Sequence, residues 1–174
     1  MYAIRLTLLA KAIKACTLPH FVSLEYSHGL YQLKIQKPSL CLRDALEAEE
    51  FVHDNGHMVI KGLLTMLLEL REVNATIHSL TPDGIYVSSL GTRLAVTNLF
   101  GVTFTGMRVL DMPRGSMPYS NHDLLEHQLT GYHNQERSLW SVGMIIFELF
   151  VGPELVQCFK TNSDVQDTLV YLSS

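Results

Sequence analysis

The sequence SLWSVGMIIFELFVG, residues 138–152, decides how the rest of this 174-residue chain is interpreted. The segment is almost entirely apolar, and Glu148 is its only charged residue. It is shorter than the roughly 20 residues that a membrane-spanning helix needs. We therefore predict no membrane span, and we expect this segment to be a helix buried in the core of a globular domain.

The composition around this segment is that of a globular protein, with 47% apolar and 17% charged residues. The net charge of −4 is small and has the wrong sign for a general nucleic-acid binder. Cys16, Cys41 and Cys158 lie far apart and form no C-x-x-C pair, which argues against a disulfide framework and a zinc knuckle. We expect a cytoplasmic protein, although the basic, amphipathic residues 1–15 leave a targeting presequence open as an alternative.

The periodicity of the chain predicts helices and β-hairpins rather than alternating parallel strands, which is the pattern of an α+β fold. Asp54-Asn55-Gly56 is expected to break the chain, and residues 101–119 to form an extended loop. The predicted elements are a helix at 3–16, a hairpin at 21–26 and 30–35, a short helix at 39–46, a helix at 58–72, a hairpin at 85–88 and 93–96, and helices at 123–129 and 138–150.

Several segments at consistent spacing resemble protein kinases of the serine/threonine type. Residues 138–152 resemble the kinase helix D-[IV]-W-S-[LV]-G-x-x-[IL]-[FY]-E-L-x-x-G, with Ser138, Trp140, Gly143 and Glu148 at its motif positions. Residues 70–85 align without gaps on the catalytic loop, where the apolar positions and Pro82 agree. The resemblance runs from about residue 4 to about residue 170.

The resemblance implies a protein-kinase-like α+β fold with a mostly helical C-lobe and a remnant of the N-lobe. Residues 1–37 would be the partial N-lobe, with helix C and two strands, and residues 38–174 the partial C-lobe. The resemblance also implies that the Gly-rich loop over the nucleotide phosphates and the strand with the V-A-I-K lysine would be lacking.

The resemblance also identifies the positions where phosphoryl transfer needs charged groups, and this chain has lost them. In the ungapped alignment His78 stands at the Arg, Ser79 at the catalytic Asp, Thr81 at the loop Lys and Gly84 at the metal-binding Asn. A catalytic role for Asp83 from its neighbouring place is the less favoured reading, because Pro-Asp-Gly is an ordinary turn sequence.

The metal-binding motif is degenerate as well. Asn98-Leu99-Phe100-Gly101 lies where D-F-G is expected, and no acid occurs between Asp83 and Asp111. The region that corresponds to helix C has no Glu, because Glu25 is the first acid of the chain. Mg²⁺ prefers anionic oxygen ligands, so we expect no bound ATP, magnesium or other cofactor.

The remaining kinase positions imply structural roles. Glu126 stands for the Glu of A-P-E, although Tyr119 would favour Asp123, and Ser138 replaces the Asp that normally anchors the catalytic-loop backbone. His53-x-x-x-His57 and the cluster His122, Asp123, Glu126 and His127 lack an H-E-x-x-H pattern, and we expect no metal site there.

These observations predict a catalytically inactive pseudokinase that acts as a binding module or scaffold with a protein partner. The partner would dock on the C-lobe or on the face that the missing strands leave open. The alternative is a divergent serine/threonine kinase that keeps weak ATP binding or phosphotransfer.

Overall fold

The computed structural model describes residues 21–27, 30–35, 40–77, 80–88, 94–97, 102–104, 118–120 and 135–159, and the single positions 164, 167 and 170. Within these ranges the chain is a mixed α+β protein with small antiparallel sheets, as predicted. The strands are β1 (Phe21–Ser27), β2 (Leu30–Ile35), β3 (Leu40–Cys41), β4 (Ala75–Ile77), β5 (Ile85–Val87), β6 (Leu94–Val96) and β7 (Val102–Phe104). The helices are α1 (Leu42–Leu46), α2 (Glu49–Glu72), α3 (Gln135–Val151) and α4 (Pro153–Gln157), with a 3-10 turn at Pro82–Gly84.

Both predicted hairpins are confirmed. Strands β1 and β2 pair antiparallel, with Tyr26 opposite Tyr31, and β5 pairs with β6 so that Ile85 lies opposite Val96. β3 adds to the other edge of β5, which makes a sheet of three strands. The two hairpins join segments that are close in sequence and that carry the β-branched and aromatic residues typical of strands, whereas β3 pairs with β5 across more than 40 positions.

The predicted break at Asp54-Asn55-Gly56 is wrong, because α2 continues through it from Glu49 to Glu72. Gly56 is buried and begins the apolar face that Val59 and Leu63 continue one and two turns later. A glycine inside a helix costs about 1 kcal/mol relative to alanine, whereas each fully buried leucine or valine contributes about 1.5–3 kcal/mol. Burial of this face therefore outweighs the local preference for a turn.

Two further predictions need correction. Val102–Phe104, expected within a loop, forms β7 and pairs with β4 from Ala75 to Ile77. The short helix expected at 39–46 begins as β3, and α1 starts only at Leu42. The predicted helices at 3–16 and 123–129 lie outside the described residues.

The core forms where α2 and α3 pack against each other and against β4. The helix predicted at 138–150 is confirmed as α3. Its predicted burial in the core is confirmed for one face only, because Leu139 is 61% and Phe150 76% exposed. The fully buried members of the core include Leu42, Val59, Leu63, Ile77, Ile85, Val87, Val96, Ile145 and Val156.

Candidate functional site

Ser138 joins α3 to the end of β4. The Ile77 backbone N–H donates to Ser138 Oγ at 3.0 Å, and the Ser138 hydroxyl donates to the Ile77 carbonyl at 2.8 Å. Both residues are buried, so this pair of bonds replaces the water that these polar groups would otherwise lose. Ser138 therefore fixes the backbone of Ile77, immediately before residue 78, against α3.

The turn at Pro82–Gly84 presents few groups with catalytic potential. Pro82 is buried, and the Gly84 N–H donates to the Thr81 carbonyl at 3.0 Å. The Gly84 carbonyl accepts from the Thr97 N–H at 2.9 Å, which ties the turn to the end of β6. Asp83 has a side chain that is 67% exposed, and its carboxylate lies 3.7 Å from Arg43 Nε. The structure thus gives Thr81 and Gly84 roles in the turn itself.

The remaining motif positions of the predicted site lie outside the described residues. They are His78, Ser79, Asn98, Leu99, Phe100, Gly101 and Glu126. The described part of the predicted site therefore consists of the turn with Pro82 and the motif residues of α3.

Glu148 is the centre of a buried polar cluster. Its side chain is completely buried, and its two carboxylate oxygens have separate donors. Arg43 Nη1 donates to Glu148 Oε1, while the Tyr119 hydroxyl donates to Oε2 at 2.6 Å. Arg43 Nη2 also donates to the Tyr119 hydroxyl oxygen at 2.8 Å, which closes the triangle. We call Arg43, Tyr119 and Glu148 the Glu148 node.

The electrostatics of the Glu148 node favour one protonation state. Burial and the hydrogen bond to Glu148 raise the pKa of Tyr119 above its ordinary value. Burial opposes the charge of Arg43, but its bonds to Tyr119 and the charge of Glu148 outweigh this and raise the pKa of Arg43. The node therefore holds a guanidinium cation and a neutral phenol, which suits a structural tie better than proton transfer.

Two more side chains of α3 hold the segment that carries Tyr119. Trp140 Nε1 donates to the Pro118 carbonyl at 2.9 Å, and the Ser141 hydroxyl donates to the Tyr119 carbonyl at 2.7 Å. Gly143, the other motif residue of the helix, is exposed and takes no part in these bonds. The motif residues of α3 thus serve to position neighbouring segments.

The motif on α3 identifies Glu148, but the sequence does not indicate that Arg43 and Tyr119 bind it. One signal was available, because a single acid within a long apolar helix requires a cation or several donors when it is buried. The identity of the partner could not be read, since Arg43 is 105 positions away from Glu148.

The described residues offer little for metal binding. Within these ranges no three His, Cys, Asp or Glu side chains converge on a common point. His53 and His57 are both exposed on α2, and His53 Nδ1 lies 2.9 Å from Asp54 Oδ1. None of the described helices is both long and apolar enough to cross a membrane.

No protein-family model matches this chain, and no curated protein matches its sequence. An assignment of function therefore depends on the motif residues and on the geometry described above.

Proposed function

We propose that this chain is a protein-kinase-like domain without phosphotransferase activity, a pseudokinase that acts by binding another protein. The observation that carries the proposal is the double hydrogen bond between Ser138 and Ile77. In the ungapped kinase alignment Ser138 stands at the anchoring acid of the Trp-Ser-x-Gly helix, and Ile77 stands immediately before the catalytic-loop arginine. A contact between these two positions is what the kinase alignment requires.

The chemistry of the turn supports inactivity. Phosphoryl transfer needs anionic or amide oxygens to hold Mg²⁺ and to position the substrate hydroxyl. Thr81 and Gly84 provide neither, and the carboxylate of Asp83 points toward solvent and Arg43. The Glu148 node, by contrast, keeps its charge satisfied within the protein and so favours a stable scaffold over a reactive site.

A binding role is supported by the surface of α3. Leu139 and Phe150 are exposed although they belong to the most apolar segment of the chain. Exposed apolar patches on soluble proteins commonly mark interaction surfaces. The exposed part of α3 therefore supports a role in binding.

Thermal unfolding with nucleotide tests the proposal. A ligand at 100 times its Kd stabilises a folded protein by about 2.7 kcal/mol, which corresponds to about 5–10 °C for a chain of this size. We expect no shift with millimolar ATP and Mg²⁺, and none with ATP and EDTA. A positive-control kinase in the same buffer confirms that the nucleotide is competent.

A reproducible shift that requires both ATP and Mg²⁺ would overturn the proposal and favour a divergent kinase. The unfolding transition must itself be cooperative, because only then does a missing shift report on ligand binding. The variant Gly84→Asn is a matched control, since it supplies an amide oxygen at the degenerate metal position. We expect it to leave the melting temperature insensitive to Mg²⁺ as well.

A further inference from the structure

An apolar groove lies between α2 and the start of α3. It is lined by Leu64, Leu67 and Leu68 of α2 and by Leu139 of α3. Leu64 is 44% exposed, and Leu68 and Leu139 are each 61% exposed, so the groove is open to solvent. Its volume is about 550 Å³, which is within the range of about 300–1,000 Å³ that is typical of small-molecule sites.

The inner part of this groove is made of buried residues. Ala75, Thr76 and Ser138 also line it, and each of them is at most 4% exposed. The Ser138 hydroxyl is already bonded to the Ile77 carbonyl. A molecule in the groove would therefore contact leucine side chains over most of its length, and its apolar body would leave water there.

Arg71 supplies the only formal charge among the residues that line the groove. It follows Leu67 by four positions and Leu68 by three, so it lies on the same face of α2, in the last turn of the helix. Arg71 is exposed, and within the described residues its guanidinium has neither an acidic partner nor a hydrogen bond. A free cation at one end of an apolar groove complements a ligand with one anionic end and an apolar body.

We infer that the groove binds a small amphiphilic carboxylate of the medium-chain fatty acid class. The carboxylate lies at Arg71, because a guanidinium holds a carboxylate through two parallel N–H···O bonds. The alkyl chain runs from there toward Leu64. The axis of α2 rises by about 10 Å between these two residues, which matches an extended chain of about eight carbon atoms.

The size of the groove favours a small ligand over a protein as its occupant. Specific protein interfaces bury about 1,200–2,000 Å² in total, and three exposed leucines beside one arginine provide only a fraction of that area. A small ligand needs only to bury its own apolar body. Phe150, another exposed apolar residue of α3, lines a different groove and stays available to the protein partner proposed above. The inferred ligand is therefore separate from that partner.

An NMR titration of the full chain with octanoate tests this inference, with 1-octanol as a neutral ligand of the same chain length. We expect the backbone amide shifts to saturate with a Kd of about 0.1–1 mM, which is weak because the ligand is small. The largest shifts should lie at Leu68, Arg71 and Leu139. Hexanoate should bind about tenfold more weakly than octanoate, since it has two fewer methylene groups to bury.

Variants at exposed positions separate the two halves of the ligand. Arg71→Gln should weaken octanoate about tenfold and leave 1-octanol within about twofold, because it removes the ion pair and keeps the apolar contacts. Leu68→Ser should weaken both ligands, since it removes part of the apolar lining. Leu155→Ser, at an exposed leucine on α4, is the matched control and should change neither Kd. Circular dichroism verifies that each variant is folded, as expected for exposed positions.

Three results would overturn the inference. The first is a lack of saturable octanoate binding, even if an acidic peptide binds the same groove. The second is saturable binding whose shifts lie away from Arg71 and Leu139. The third is an octanoate Kd that Arg71→Gln leaves unchanged or raises no more than the Kd of 1-octanol, because the charge would then play no part in recognition.

Discussion

Replacement of Arg43 by methionine tests how the Glu148 node stabilises the fold. Arg43→Met keeps much of the side-chain volume but removes the only cation that contacts Glu148 among the described residues. The Glu148 side chain is 0% exposed, so its carboxylate would keep only the Tyr119 hydroxyl as a donor. Removal of one partner from a buried ion pair costs about 3–5 kcal/mol. This is a large share of the about 5–15 kcal/mol by which a domain is stable.

Urea unfolding followed by tryptophan fluorescence measures this loss, because Trp140 lies on α3 beside the node. With an m-value of about 2 kcal/mol/M, we expect the midpoint to fall by about 1.5–2.5 M. The matched variant replaces all three members, as Arg43→Met/Tyr119→Phe/Glu148→Leu. No charge is then buried alone, and we expect stability within about 1–2 kcal/mol of the starting protein, since apolar replacement of a buried pair is often neutral or stabilising.

Two results would contradict this reasoning. A loss below about 1 kcal/mol for Arg43→Met would mean that water screens the pair as it screens surface ion pairs. A triple variant as unstable as the single one would mean that the node acts through the positions of its hydrogen bonds and not through compensation of charge. Glu148→Leu alone separates these cases further, because it removes the buried charge while Arg43 can still reach solvent.

The remaining predictions concern Ser138, Tyr119 and two glycines of α2. Ser138→Ala should lower the free energy of unfolding by about 1–3 kcal/mol in urea titrations, because it leaves buried backbone groups at the end of β4 unpaired. Burial and its hydrogen bond to Glu148 raise the pKa of Tyr119 in the folded protein. Its contribution to the free energy of unfolding is therefore complete below the ordinary pKa near 10 and is lost as the pH rises above that value. Tyr119→Phe should reduce the loss of stability between pH 10 and 11 by up to about 1.4 kcal/mol. Gly62→Ala should destabilise α2 by about 1–3 kcal/mol, since the new Cβ would lie 2.5 Å from Leu94 Cδ1. Gly56→Ala has room for its Cβ and should stabilise the same helix by about 1 kcal/mol. The melting temperature of Gly56→Ala should therefore exceed that of Gly62→Ala, and the opposite order would contradict the packing described for the two glycines.

The elements that could be predicted from sequence are those with local causes. Both hairpins have short connections and strand-forming residues, so their pairing follows from neighbouring positions. Strand β7 was missed because three residues within a Gly-rich stretch carry little periodicity, and only its partner β4 makes it a strand. The break predicted at Asp54-Asn55-Gly56 is wrong because it rests on local turn preference alone, which tertiary burial of the helix overrides.

Only the part of the candidate site that lies within one helix could be predicted from sequence. Ser138 and Glu148 stand in a motif whose spacing within one helix can be recognised, whereas Arg43 and Tyr119 reach them only through the fold. Their separations from Glu148 are 105 and 29 positions. The chemistry of Glu148 required donors, but many donors in the chain could have met that need.

The polar residues of α3 explain why one apolar face of this helix is inside and the other outside. Hydrophobicity alone would bury either face, because residues 139–147 contain no charge. One side of the helix carries Ser138, Ser141 and Glu148. Their side chains bind the Ile77 carbonyl, the Tyr119 carbonyl and Arg43, respectively. Buried polar groups can specify a unique arrangement even where they add little stability. The triple replacement at the Glu148 node should therefore keep the free energy of unfolding while it weakens the near-ultraviolet dichroism of Trp140, because the helix can then rotate about its axis. An unchanged spectrum would mean that the serines suffice to orient α3.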